Sequence, residues 1–237
     1  MAVELDCSGK TVRQINTAIK AHIASGEEEV LVRNPGARHN LGVALLQPST
    51  VTFDGSVGYF CGGLMDGATV EVNGSTGWGL AESMLSGTVT VRGSAGNGAA
   101  ATIRGGTVVI HRHAAARAGV AMKGGLLLIG GNCGYMAGFM GQRGTIVVCG
   151  DVGDAFADSM YETKCYVGGK IGELGNDAVI ENLSSEDTAF LETTFAAHLP
   201  ERLAELTSRL ADFKKIVSGR RLWNFDKTDW EVWQQVV

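Results

Sequence analysis

The chain has 237 residues, with 25 acidic against 20 basic side chains and a formal charge of −5, so it lacks the basic excess that sequence-independent nucleic-acid binding needs. Hydrophobic residues make up 45%, which fits a globular chain, and no apolar run reaches the roughly 18–20 residues that span a bilayer. Glycine is the outlier: 34 residues beside 3 prolines, without a Gly-X-Y period, exclude collagen and point to many tight turns at positive φ.

The first residues, Met1-Ala2-Val3-Glu4-Leu5-Asp6, show no basic region followed by an apolar one. No secretory leader is therefore expected, and the expected compartment is the cytoplasm. The five cysteines (Cys7, Cys61, Cys133, Cys149 and Cys165) are odd in number and lack C-x-x-C or zinc-type spacing. That usage fits reduced, packed thiols. In residues 9–24, Val12, Ile15, Ala18, Ile19 and Ile23 recur at helical spacing. This helix is expected to cap the open end of the unit that follows.

From residue 50 the sequence repeats. Runs resembling Thr50-Val51-Thr52-Phe53 begin at 69, 88, 107, 126, 145 and 164, a constant step of 19. One step back, Leu31-Val32-Arg33-Asn34 reads as a first coil. Glycine recurs five places into the units (Gly55, Gly74, Gly93, Gly131, Gly150 and Gly169, with Arg112 as the exception). It recurs again eight places in (Gly58, Gly77, Gly96, Gly134, Gly153 and Gly172, with Ala115 as the exception). Each unit reads as strand, Gly-turn, Gly-turn, second strand, turn. So short a unit buries an apolar face only by stacking on its neighbours. The pattern predicts an all-β core, a parallel β-helix of seven to eight coils.

Strand period 2 puts the second and fourth strand positions on one face. Val51, Val70, Val89, Val108, Leu127, Ile146 and Cys165 fill one column, and Phe53, Val72, Val91, Ile110, Ile129, Val148 and Val167 the other. Both are predicted core. The third position should face outward. It runs from Thr52, Glu71 and Thr90 to Val109, Leu128, Val147 and Tyr166. With Leu126 these form an apolar strip, to be covered by the chain's own C-terminal helices or by another subunit.

Past residue 175 the glycine pattern stops. Ser184-Ser185-Glu186-Asp187 signals a helix start, continued by Phe190, Leu191, Phe195 and Leu199. Pro200 should open a second helix with Leu203, Leu206, Leu210, Phe213 and Val217 on one face, ended by Gly219. The tail carries Trp223, Trp230 and Trp233, too much aromatic surface for an isolated solvated segment. It reads as an anchor, on its own body or on a partner. The organisation expected is thus 1–30 with the capping helix, 31–182 as β-helix, and 183–237 as helices and tail.

No catalytic constellation stands out. His111-Arg112-His113 falls where both glycine columns fail, with Arg104, Arg117 and Lys123 nearby in sequence. No third ligand lies at metal spacing, so it reads as a solvated corner or an interface contact. Gly77-x-Gly79 and Gly96-x-Gly98 open no helix and read as solenoid corners rather than phosphate loops. No active site, metal or cofactor site is expected on this chain. An 18-residue hexad β-helix of the acyltransferase type is excluded by the 19-residue unit.

The Gly-x-Gly coils, Ser75-Thr76-Gly77-Trp78-Gly79 and Ser94-Ala95-Gly96-Asn97-Gly98, resemble the GXGXG domain of the glutamate synthase large subunit, a right-handed β-helix. The entry Thr11-Val12-Arg13-Gln14-Ile15-Asn16 and the stretch from Leu191 through His198 to Ser208 and Leu210 resemble that domain's start and its terminal helices. As a separate chain it is similar to the stand-alone β-helix subunit of the three-subunit N-methylglutamate synthases. The resemblance implies a non-catalytic subunit of a hetero-oligomer that converts methylamine and L-glutamate to N-methyl-L-glutamate and ammonia. The implied partners are a glutamine-amidotransferase-like subunit and a synthase subunit carrying FMN and iron–sulfur clusters. The β-helical subunit of formylmethanofuran dehydrogenase shares the fold, and a free-standing β-helix interaction protein is the remaining alternative. Arg112, Ala115 and the Trp-rich tail depart from the family pattern.

Overall fold

A computed structural model describes residues 2–219. The chain winds into a right-handed β-solenoid of about seven turns. Strands β1 (Val3–Asp6), β2 (Glu29–Arg33), β3 (Thr50–Asp54), β4 (Thr69–Val72), β5 (Thr88–Val91), β6 (Thr107–Ile110), β7 (Lys123–Ile129), β8 (Arg143–Val148) and β9 (Lys164–Val167) lie parallel in that order. β11 (Lys214–Ser218) pairs antiparallel with β9, and β10 (Ala178–Glu181) pairs antiparallel with β11 at the sheet edge.

From β3 onward the 19-residue register holds at every step: Val51 faces Val70, then Val89, Val108, Leu127, Ile146 and Cys165. The first step differs from the sequence reading. Val30 pairs with Val51 and Leu31 with Thr52, so that coil is 21 residues long and Leu31 is not the counterpart of Thr50. The insertion is even, so Val30 and Val32 still point inward and the apolar pattern survives the shift. β1, not anticipated from sequence, begins the sheet before helix α1 (Val12–Ala24). Thr11 and Gln14 form a capping box on α1, which buries Ile15 and Ile19 against the first coils.

Both predicted inner columns are fully buried, and Met65, Met84, Ile103, Met122 and Met160 line the same core. The expected second strand is reduced to isolated bridges: Thr76, Ala95, Ala114, Cys133, Val152 and Ile171 pair in parallel steps, and Phe156 pairs with Leu174. The rest of each coil is a left-handed wall. In the six units that begin at 50, 69, 88, 107, 126 and 145, the residues ten, twelve and fourteen places on all have φ between 50° and 74°. Their amides bond alternately to the coil above and the coil below, as in Phe60 N–H to Trp78 O (2.7 Å) and Ala81 N–H to Cys61 O (2.8 Å). The middle position points into the core, where only Gly62, Ala81, Ala100, Gly119, Gly138 and Ala157 fit. The flanking positions point outward and accept Phe60, Leu64, Arg117, Met136 and Met140.

The corner glycines have a different cause from the expected positive φ. Of the twelve, only Gly55 is left-handed. The others are glycine because the next coil is too close for a Cβ. One built on Gly93 would strike Ser75 Oγ and lie 2.7 Å from Gly74 O, and one on Gly150 would strike Asn132 Oδ1 and lie 2.8 Å from Gly131 O. Each corner also carries a side-chain ladder. Ser56, Ser75, Ser94, His113, Asn132 and Asp151 each accept the backbone N–H of the equivalent residue one coil on, at 2.7–3.3 Å. That acceptor sits where the Cβ of a larger neighbour would go.

After β10, helix α2 (Ser185–His198) starts at Ser184, whose hydroxyl receives the Asp187 amide while Asp187 accepts the Ser184 amide. Pro200 opens a 3-10 turn that leads into α3 (Leu203–Ser208). The single helix expected from Pro200 to Gly219 is not formed. Thr207 and Ser208 hydroxyls donate to the Leu203 and Glu205 carbonyls, a 3-10 turn follows at Leu210–Asp212, and Phe213 turns extended. Ile216 and Val217 are β-branched and continue as β11, where Ile216 closes the last coil.

Gly93→Ala is expected to destabilise the chain by about 1–3 kcal/mol through overpacking between coils. Thr90→Ser, on the outer side of the neighbouring strand, should cost under about 0.5 kcal/mol. Urea unfolding of both variants checks this, and equal midpoints would remove the close-approach explanation.

Candidate docking surface

The outward apolar strip is an internal interface. Val109, Leu128, Val147 and Tyr166 are each 3% exposed or less, beneath Leu191, Phe195, Leu199, Leu206, Leu210 and Phe213. Of the two covers expected, the chain's own C-terminal helices are the one present, and Val109, Leu128, Val147 and Tyr166 are corrected from candidate partner interface to core. Polar Thr52, Glu71 and Thr90 on the earlier coils stay half-exposed beyond the helices. Three tethers hold the cover in place. Arg202 donates to Gly130 O, and Arg209 donates to Cys149 O (3.1 Å) and Gly168 O (2.6 Å), all carbonyls at the ends of coil strands. The third is Asp187, which besides capping α2 accepts from Tyr166 OH (2.6 Å) and Lys215 Nζ (3.2 Å). Burial pushes its carboxyl pKa up, but these donors outweigh burial and hold it well below the usual carboxylate range. Burial and the facing Asp187 raise the Tyr166 phenol.

The sequence candidates for chemistry fall apart in space. His111 lies between Arg92 (3.0 Å) and Glu201 of the C-terminal unit (3.1 Å). Burial and Arg92 lower its pKa against the opposing pull of Glu201, and it serves as a packing contact between coil and cover. His113 is a rung of the corner ladder, its Nδ1 accepting the Asn132 amide at 2.9 Å. Arg112 projects outward between them. Among the described residues no three His, Cys, Asp or Glu side chains are placed to hold a metal. All five cysteines are free and buried. Burial pushes Cys61, Cys133 and Cys149 up to about 12, so none is a thiolate near neutrality. Trp223, Trp230 and Trp233 lie outside the described residues.

What the sequence reading missed is on the left-handed wall. Leu46, Phe60, Leu64 and Leu85 are exposed there by 65%, 43%, 56% and 45%. At its rim His39 stacks on Tyr59 (4.3 Å) and Tyr59 on Trp78 (5.2 Å), with Trp78 more than half exposed. Shallow grooves run between these side chains, lined by Phe60, Leu64 and Glu82 on one side and by Leu46, Leu85, Arg104 and Lys123 on the other. A second apolar group, Tyr135, Met140 and Tyr161, lies farther along the wall. A signal was available. The methionine column is inward, so Leu64 beside Met65 and Leu85 beside Met84 had to point out. Monomer surfaces scatter apolar residues singly, whereas grouped ones mark contact sites. The arrangement is able to bind an apolar protein face. Among the described residues these grooves are open, with Glu82, Arg104 and Lys123 at their edges.

No protein-family model matches the chain, and no curated protein matches it either.

Leu128→Glu should lower the stability of the isolated chain by about 3–5 kcal/mol, because it places an unpaired charge under α2 and α3. Thr52→Gln at the same coil position should cost under about 0.5 kcal/mol. Calorimetry of both distinguishes a covered strip from an open one. Asp187→Asn should cost about 1.5–3 kcal/mol at pH 7. The carboxyl is depressed on folding from about 3.9, so its contribution is complete above about pH 5 and fades as pH falls. The gap between wild type and Asp187→Asn in urea midpoint should therefore shrink from pH 7 to pH 3.

Proposed function

We propose that this chain is a non-catalytic structural subunit of a glutamate-synthase-like complex, with N-methylglutamate synthase as the specific assignment. In this reading it scaffolds an amidotransferase-like subunit and a synthase subunit that carries FMN and iron–sulfur clusters, and it holds no cofactor itself. Two lines support the reading. The right-handed β-solenoid with a helical C-terminal cover is the fold that the GXGXG resemblance implies. The observation that carries it is the exposed group Leu46, Tyr59, Phe60, Leu64, Trp78 and Leu85 on the left-handed wall. Phe60 and Leu64 hold left-handed backbone, at φ 59° and 56°, where their side chains add nothing to the core. Grouped apolar side chains left exposed in this way are a mark of a contact site.

The test is co-expression with an amidotransferase-like chain and an FMN-binding synthase chain from the same genome. A stable complex is expected, with the flavin and iron colour on the partner and none on the lone subunit. Phe60→Glu with Leu64→Glu should abolish co-purification and leave the melting temperature of the lone chain near wild type. A lone subunit that carries stoichiometric flavin would overturn the scaffold reading. Neighbouring genes of another partner class would turn the assignment toward formylmethanofuran dehydrogenase.

A further inference from the structure

The described chain ends just beyond the last coil of the left-handed wall. Gly219 N–H donates to Asp177 O (2.7 Å), the preceding Asn176 O accepts Ser159 N–H (3.0 Å), and Asp158 O accepts Met140 N–H (2.9 Å). The exit point is thus beside a residue two coils beyond Met140. Beside Met140 lies an open concavity lined by Lys123, Gln142, Arg143, Tyr161 and Glu162. Met140 and Tyr161 are 41% and 37% exposed there. Lys123 makes no ion pair with a described residue, and Arg143 has only Glu162 at 3.2 Å, with both side chains largely in solvent. The site is an apolar floor with a basic rim, and such an exposed pair gives up little when a better carboxylate arrives.

Eighteen residues follow Gly219. They include Phe225, Trp230, Val232 and Trp233, interleaved with Asp226, Asp229 and Glu231. The carboxylates and aromatic rings match the rim and the floor in kind. Reach is ample: the eleven residues from Gly219 to Trp230 extend to about 36 Å, and neighbouring coils are about 4.8 Å apart. We infer that residues 225–233 of this same chain dock across the wall over Met140 and Tyr161, with their carboxylates against Lys123 and Arg143. The indoles also gain cation–π contact with the same cations. The tail then covers the C-terminal half of the wall and leaves the Phe60–Leu64 half open to partners. The inference stands whether or not the chain belongs to a synthase complex.

Zero-length carbodiimide coupling of the unmodified full chain tests it. Activation of a carboxylate lets the Lys123 amine form an amide and release the urea. Peptide mass mapping should find Lys123 joined to Asp226, Asp229 or Glu231 in material that migrates as a single chain. A second arm uses Trp78→Phe, so that only the tail indoles emit. Adding Met140→Asp should shift that emission to longer wavelength, and Leu46→Asp on the open half should not. Absence of the Lys123 linkage, its occurrence only in cross-linked dimers, or emission indifferent to Met140→Asp would each overturn the assignment.

Discussion

The spacing between stacked coils constrains everything else in this molecule. Parallel strands hydrogen-bond at about 4.8 Å, and here all sides of the coil keep that pitch, not the sheet alone. At the corners the backbones come so close that a Cβ on Gly93 or Gly150 has no space. The acceptor ladder from Ser56 to Asp151 fills the same gap from the other side and satisfies corner amides that the sheet leaves over. Glycine at one position and a short acceptor at the next are two halves of one solution.

The left-handed wall follows from that pitch. A chain that must close its coil and still bond to both neighbours alternates handedness, so its side chains divide cleanly. The inward member at each step is held to Gly or Ala, because the core is narrow there; a Cβ on Gly119 would lie 2.7 Å from Ile146 Cδ1. The outward members meet no such limit. Leu64, Arg117 and Met140 occupy equivalent or adjacent outward sites in different coils. The wall is therefore the surface on which residues vary from coil to coil without disturbing the stack.

The two ends and the sheet's outer face are closed by chain outside the repeat. α1 covers the first coils. At the far end β11 turns antiparallel against β9, which stops parallel addition of a further coil. Asp187 links this closure to the helical cover, since one carboxylate caps α2, receives Tyr166 from β9 and receives Lys215 from β11. The switch from Thr90 to Val109 along the strip marks where the cover begins.

The repeat was legible in sequence because a solenoid writes its geometry as a period. Nineteen residues, two inward columns and a glycine pair gave the sheet, its register from β3 onward and the core. The helix starts at Thr11 and Ser184 were legible because capping is local. The cause of the corner glycines was not, since positive φ and close approach select the same residue, and only coordinates separate them. Nor was the 21-residue first coil, where an even insertion leaves the polarity pattern intact. β11 read as helix because Leu210, Phe213 and Val217 keep helical spacing, while its sheet partners lie far off in sequence. The candidate site divided the same way. Sequence showed that Val109 to Tyr166 face outward and are apolar, but covered and exposed apolar faces have one composition. Tertiary structure alone placed α2 and α3 over that strip and left Phe60, Leu64 and Leu85 open, because burial is decided by what the rest of the chain packs against.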